Sequence, residues 1–256
     1  WPDGRLARME VAFDISELEE THRRLEEAKN MQELLNDLLV HDVRGYASTA
    51  RAYLEMAADE ASEEKKASST ATAVDQILKI DKLVDSVAKM ARAHSSDEAS
   101  VRPTDVASVL DEAVEDANPG GKVRVIRGYT ADKAFVPLGE FGKDIFLNLL
   151  TNAVKYGEGR PISVEVAESE LRGKPAWAIS VTDMGKGIPP EKRKIIFSRF
   201  TRLDSISKLK GMGLGLVLAK ALTESYGGEL RIESRVPDAH SQGTRFSVVL
   251  PMSQPP

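Results

Sequence analysis

The chain has 256 residues, 41% hydrophobic and 29% charged, with a net charge of -5. That is enough to bury one or two cores, and too acidic to present the basic face that nucleic acid requires. It contains no cysteine, which excludes disulfides, thiolate nucleophiles and thiolate metal sites, and no apolar run reaches membrane-spanning length.

Residues 1–14 open with the turn Pro2-Asp3-Gly4 and then alternate through Leu6, Met9, Val11 and Phe13 as a single strand with no nearby partner. An isolated strand does not stand alone. Because the first residue is Trp1, the strand is expected to be the last of a domain whose remainder lies elsewhere in a longer parent. Asp14-Ile15-Ser16-Glu17 follows it, offering an N-cap and acids for a first helical turn. This exit resembles that of a PAS sensor domain.

Residues 17–59 read as one long helix, with Leu18, Leu25, Ala28, Met31 and Leu35 in a coiled-coil-like stripe. At about 100° per residue, Leu35, Leu39, Val43, Tyr46, Ala50 and Tyr53 share one side. His41 falls nearly opposite. An imidazole on that flank, next to a carboxylate at Asp42 able to hold Nδ1, leaves Nε2 as a nucleophile. The ordinary alternative for such a histidine is a packed, hydrogen-bonded core residue. The polar stretch 61–69 (ASEEKKASS) is predicted as a break, and 70–94 as a second amphipathic helix. Two such helices make an antiparallel hairpin with apolar surface left over, so a second copy is expected to complete a four-helix bundle.

Residues 95–103 (SSDEASVRP) are a linker by composition. Helix is predicted over 105–117, strands over 122–128 and 133–136, and a helix with an almost continuous apolar core over 141–156. A strand pair at 161–167 and 176–182, helix at 213–226, and strands at 229–234 and 244–250 complete an α+β layer domain.

Three segments of that second half carry chemistry. Asp144, Asn148 and Asn152 recur every four residues, stacking three oxygen-bearing side chains along one helical stripe. They serve either helix–helix hydrogen bonds or a hard cation and phosphates, with Lys155 as a phosphate cation and Tyr156 as an aromatic face. Asp183-Met184-Gly185-Lys186-Gly187 follows directly on a strand, so Asp183 can accept from an exocyclic amine while Gly185 and Gly187 let backbone approach a ligand. Gly211-Met212-Gly213-Leu214-Gly215 leads into a helix whose N-terminal amides suit phosphates.

Taken in order, these segments resemble the boxes of sensor histidine kinases of two-component systems, within the GHKL ATPase superfamily. Leu39 to Arg44 resembles the H box and Asn148 to Tyr156 the N box. Asp183 to Gly187 and Gly211 to Leu216 resemble the two glycine boxes, and Ile196 to Arg202 the F box. The resemblance implies a dimeric all-α helical hairpin followed by a Bergerat-type α+β sandwich that binds ATP. Its division would be residues 1–14 as the last strand of a PAS-like sensor, 15–95 as coiled-coil linker and phosphoacceptor hairpin, 96–102 as linker and 103–252 as the ATP-binding catalytic domain.

It further implies ATP-dependent autophosphorylation of His41, assisted by Asp42, and transfer of the phosphoryl group to an aspartate of a response regulator receiver domain. Asn148 would hold Mg²⁺; Asn152 and Lys155 would meet the phosphates. Tyr156 would lie near adenine, and Asp183 would accept from its amine with Thr244 helping through water. Gly211, Gly213 and Gly215 would form the end of a lid running from about Phe200 to Met212 that contains Lys208 and Lys210, Leu214 would join them at the nucleotide, and Arg202 would approach the γ-phosphate. Phe197 and Phe200 read equally as that lid's hydrophobic hinge. The family expectation is a homodimer at work in the cytoplasm. A related ATPase or serine kinase that does not use His41, or a nucleotide-binding signal transmitter without activity, are the alternatives. One departure is Gly45, which stands where relatives often carry a Thr or Asn that helps water attack the phosphorylated regulator; Asp144, where Glu is frequent, is another.

Overall fold

The computed structural model describes residues 42–95, 101–129, 134–197, 215–237 and 239–255, with His22, Lys29 and Val40 singly. The expected strand in 1–14, and with it the PAS-like exit, lies outside the described residues. So do His41, Arg202, Gly211, Gly213, Leu214 and Phe200.

Two helices, α1 (Val43–Asp59) and α2 (Glu63–Ser95), pack along one another as a hairpin. The predicted break at 61–69 shrinks to Glu60–Ser62. Glu63, Glu64, Lys65 and Lys66 are good helix formers with two acids in the first turn, and polarity alone does not stop them from extending α2. Ser62 N donates to Glu60 Oε1 at 3.1 Å and the carbonyl of Ser62 accepts from Lys66 N, closing the turn. On α1 the inward stripe is the predicted one, with Ala50 and Ala57 buried and Val43, Tyr46 and Tyr53 half-buried.

The second half is built on a five-stranded mixed sheet of order β2-β4-β5-β7-β6: β2 (Val125–Gly128), β4 (Ile162–Leu171), β5 (Lys174–Thr182), β6 (Glu229–Ser234) and β7 (Thr244–Pro251). Only the β2–β4 pairing is parallel within it. The β4–β5 hairpin runs longer than predicted, because the turn tightens to Arg172-Gly173, both at positive φ, and Glu168 to Leu171 join the ladder. A separate pair joins β1 (Arg102–Asp105) to β3 (Phe135–Leu138) antiparallel. By composition Arg102 and Pro103 belong to a linker, since four residues without alternation carry no strand signal.

Helices α3 (Val106–Ala117), α4 (Gly142–Tyr156) and α6 (Gly215–Ser225) lie against the sheet. Asp105 caps α3, its Oδ1 accepting from Ala107 N. Ile145, Phe146, Leu149 and Leu150 of α4 meet alternate strand residues Ile162, Val164, Ile179, Val181, Val248 and Leu250 in one core. A short helix α5 (Pro190–Phe197), absent from the sequence-based expectation, precedes the segment outside the described residues. Phe246 is buried in this core and Trp177 packs against it from a half-exposed position.

The hairpin is not separate from this core. Leu83 and Met90 of α2 are fully buried in the same cluster, with Val87 between them, and α2 packs on α6. Lys89 Nζ, on the same helix, lies 2.7 Å from Asp144 Oδ1 and 3.1 Å from Asp85 Oδ2. Burial alone would lower that ammonium, but the two carboxylates outweigh it and hold its pKa above the usual lysine value.

Candidate nucleotide site

A cavity of about 340 Å³ opens between the C-terminal half of α4 and the ends of β5 and β7, within the range of small-molecule clefts. Asn152, Lys155 and Tyr156 of α4 line one wall, Asp183 and Thr244 the floor, and Leu216 and Phe246 add apolar surface. Side chains far apart in sequence meet here because β5 and β7 are antiparallel neighbours. Thr182 pairs with Arg245, so the next residues out, Asp183 and Thr244, sit side by side where both strands leave the sheet.

Asp183 is 7% exposed. Its Oδ1 accepts from Gly185 N at 2.8 Å and Thr244 N at 3.4 Å, and its own N–H donates to the carbonyl of Thr244. Burial raises its carboxyl above the ordinary range, against those two amides and the charge of Arg235, which pull the other way. One oxygen is therefore fixed by backbone, and the group stands ready to accept from a ligand amine through the other. At Gly187 the chain takes φ +64, and a Cβ would run into the carbonyl oxygen of His240. Only glycine turns there without moving the main chain.

The stripe Asp144, Asn148, Asn152 is half-buried on one side of α4. Asp144 is drawn to the stem by Lys89, a contact the sequence does not foretell. Asn148 Nδ2 donates one N–H to the backbone carbonyl of Asp144 at 2.8 Å, which turns Oδ1 away from that carbonyl. That oxygen abuts the first residue of α6, Gly215, where a Cβ would lie 2.5 Å away. Asn152 lines the cavity one turn further on. Lys155 Nζ stands 5.1 Å from the centre of the Tyr156 ring, in cation–π range, and Tyr156 is 39% exposed at the cavity mouth.

The structure thus brings Asn152, Lys155, Tyr156, Asp183, Gly187 and Thr244 to one cavity, with Gly185 on the turn beneath and Asn148 and Gly215 in contact beside it. Asp42 is half-buried just before α1. Glu158 and Lys186 also line the cavity, ion-paired at 3.7 Å. Sequence reasoning misses Glu158, whose one signal is its place two residues after Tyr156 in a Gly-Glu-Gly turn.

Residues 141–254 match the family model described as histidine kinase-, DNA gyrase B-, and HSP90-like ATPase (HATPase_c). Along 96% of its length the chain is 30% identical to the signal transduction histidine-protein kinase/phosphatase MprB of Mycolicibacterium smegmatis, covering 50% of that protein. The chain therefore spans about half the length of the curated relatives it matches. Among solved structures, the mycobacterial sensor histidine kinase MprB superposes with a TM-score of 0.51 at 28% identity, over 60% of this chain and 99% of that one. Full-length ShkA in complex with AMPPNP does so with a TM-score of 0.55 at 22% identity, over 87% and 46%, a likeness of fold alone. Residues 141–254 are thus a histidine kinase-, DNA gyrase B-, and HSP90-like ATPase domain preceded by a helical region, and the chain is similar to sensor histidine kinases along almost its whole length.

Proposed function

We propose that the chain is the kinase portion of a two-component sensor: it binds ATP in the cavity beneath α4, phosphorylates His41 and hands the phosphoryl group to an aspartate of a response regulator receiver domain. The observation that carries this reading is the buried carboxylate of Asp183 at the floor of a cavity whose wall is the Asn152–Lys155–Tyr156 end of α4. A carboxylate with one oxygen spent on backbone amides recognises an amine, and an amide and a cation one helical turn away suit phosphates.

In this reading Asp183 accepts from the adenine amine, with Thr244 assisting through a water, and Tyr156 covers the base. Asn152 and Lys155 hold phosphate oxygens. The donor set at Asn148 fits a magnesium ion, since its amide nitrogen is turned to the Asp144 carbonyl and its oxygen faces the start of α6. No cluster of three His, Cys, Asp or Glu is placed to hold a metal among the described residues, so phosphates and water would supply the other ligands. When bound, that ion screens the triphosphate charge. The same reading assigns Gly211, Gly213, Leu214 and Gly215 to the phosphates and Arg202 to the γ-phosphate, all but Gly215 lying outside the described residues. His41 Nε2 attacks the γ-phosphorus in line and ADP leaves with the electron pair, while Asp42 holds Nδ1–H and balances the imidazolium charge. The phosphorus–nitrogen bond is labile enough to pass the group on.

A second copy belongs to the same reading. Val74, Ile77 and Val84 are each about half exposed along one stripe of α2, while Leu83 and Met90 face the other way. Apolar stripes of that length call for a partner helix, and a four-helix bundle of two hairpins supplies it. The wild-type chain should elute as a dimer and Ile77→Glu as a monomer. Among the described residues no helix is long and apolar enough to cross a membrane, and the cytoplasm is the compartment where ATP and a receiver domain are at hand.

Incubation with γ-labelled ATP tests the whole. Acid-labile, base-stable label that disappears in His41→Ala is expected. Label that survives that substitution would make the chain another kind of ATP-dependent kinase, and Mg-ATP binding with no label would leave it a signal transmitter.

A further inference from the structure

The turn that carries Asp183 is held from the opposite side of the cavity rim. Arg160, just past the end of α4, donates from Nη1 to the carbonyl oxygen of Met184 at 2.8 Å. Its Nη2 lies 3.5 Å from Glu158 Oε2, and Glu158 Oε1 lies 3.7 Å from Lys186 Nζ. The chain reverses tightly to allow this: φ is +55 at Glu158 and +73 at Gly159, and Arg160 N donates to the carbonyl of Gly157.

The Met184 carbonyl and the Gly185 N–H belong to one peptide unit. That N–H is the donor that holds Asp183 Oδ1 at 2.8 Å. A peptide unit is planar and rigid, so fixing its oxygen fixes the direction of its hydrogen. A cation on the oxygen also polarises the unit and strengthens the N–H as a donor. The ion pairs of Glu158 are the lesser part of the arrangement, since exposed pairs contribute little.

Resting on the reading of the cavity as an adenine nucleotide site, we propose that Arg160 is a positioning residue for base recognition: through the Met184–Gly185 peptide it holds the Asp183 carboxylate in the orientation that receives the exocyclic amine. Arg160 acts from behind the turn, through the carboxylate that does the recognising.

Titration calorimetry of the whole chain with Mg-ATP and Mg-ITP tests this, because inosine replaces the amine by a carbonyl that Asp183 has nothing to accept from. Arg160→Ala should lower ATP affinity by roughly three- to tenfold, the scale of one charge-assisted hydrogen bond, and leave ITP affinity nearly unchanged. The ATP/ITP ratio therefore narrows by the same factor. Arg160→Lys, whose ammonium still reaches a carbonyl, should recover part of the ratio. An unchanged ratio in Arg160→Ala overturns the proposal, whether both affinities fall together, as for a loosened rim, or neither falls. A parent chain with no preference for ATP would instead bring down the nucleotide reading itself.

Discussion

Gly215→Ala probes the end of the cavity that we propose holds the phosphates. A Cβ on Gly215 would lie 2.5 Å from Asn148 Oδ1 and 3.2 Å from its Cγ. Ordinary contact begins near 3.4 Å, so the Asn148 oxygen must retreat by about 0.9 Å. The amide then strains its 2.8 Å bond to the carbonyl of Asp144, at about 1 kcal/mol for the bond and about another for leaving its rotamer. Alanine recovers up to about 1 kcal/mol of helix propensity as the first residue of α6. The unfolding free energy should therefore fall by about 1 to 2 kcal/mol. Binding should respond as well, because displacing an oxygen proposed to meet the magnesium ion by that distance costs roughly ten- to a hundredfold. Calorimetry with Mg-ATP reads the loss, adenosine binding serves as the control that should hold, and thermal unfolding reports the fold. Mg-ATP affinity equal to that of the parent would refute the placement of Asn148 at the phosphates.

Three further outcomes follow from the geometry. The Asp183 carboxyl titrates above its ordinary range because it is buried, so on acidification the folded chain takes up this proton before the unfolded chain does. The cost of burying the charge is relieved while the amine acceptor is lost. ATP affinity should therefore fall as pH drops through that raised value and ITP affinity should not, a difference that vanishes in Asp183→Asn. Lys89 has a pKa above the usual lysine value, so its contribution is complete at neutral pH and lost only in alkali. A double-mutant cycle of Lys89→Met with Asp144→Asn, followed by urea unfolding, should give a coupling of about 1 kcal/mol that shrinks with salt; additive effects would remove the pair as a link between stem and domain. In α1, a Cβ added to Gly45 would meet nothing within 4 Å, so Gly45→Ala should raise stability by about 1 kcal/mol in the same assay, and a loss would mean the helix needs glycine's freedom there.

Much of the second half was legible because each of its elements is long and periodic. The apolar run of α4 announces both a helix and its buried face, and its four-residue spacing puts Asp144, Asn148 and Asn152 on one stripe whatever the neighbours are. The strand–Asp–Gly order at 182–187 likewise fixes Asp183 at a strand end. The elements that escaped are short or polar: β1 offers four residues with no alternation, and Glu63 to Ser69 has a loop's composition with a helix former's propensities. Of the site, Glu158 and Arg160 were missed because an exposed charge in a glycine turn looks the same whether it faces solvent or a cavity.

Local periodicity and residue type by themselves determined which segments are helix or strand, and which side chains could serve a nucleotide, since both follow from interactions within a few residues. Tertiary structure alone decided that Asp183 and Thr244, 61 residues apart, share a floor, that Lys89 reaches Asp144 across 55 residues, and that Arg160 grips the turn beneath the carboxylate. Those contacts come from strand register and helix packing, where the free energy is set by burying shared apolar surface and no short stretch of chain carries the information.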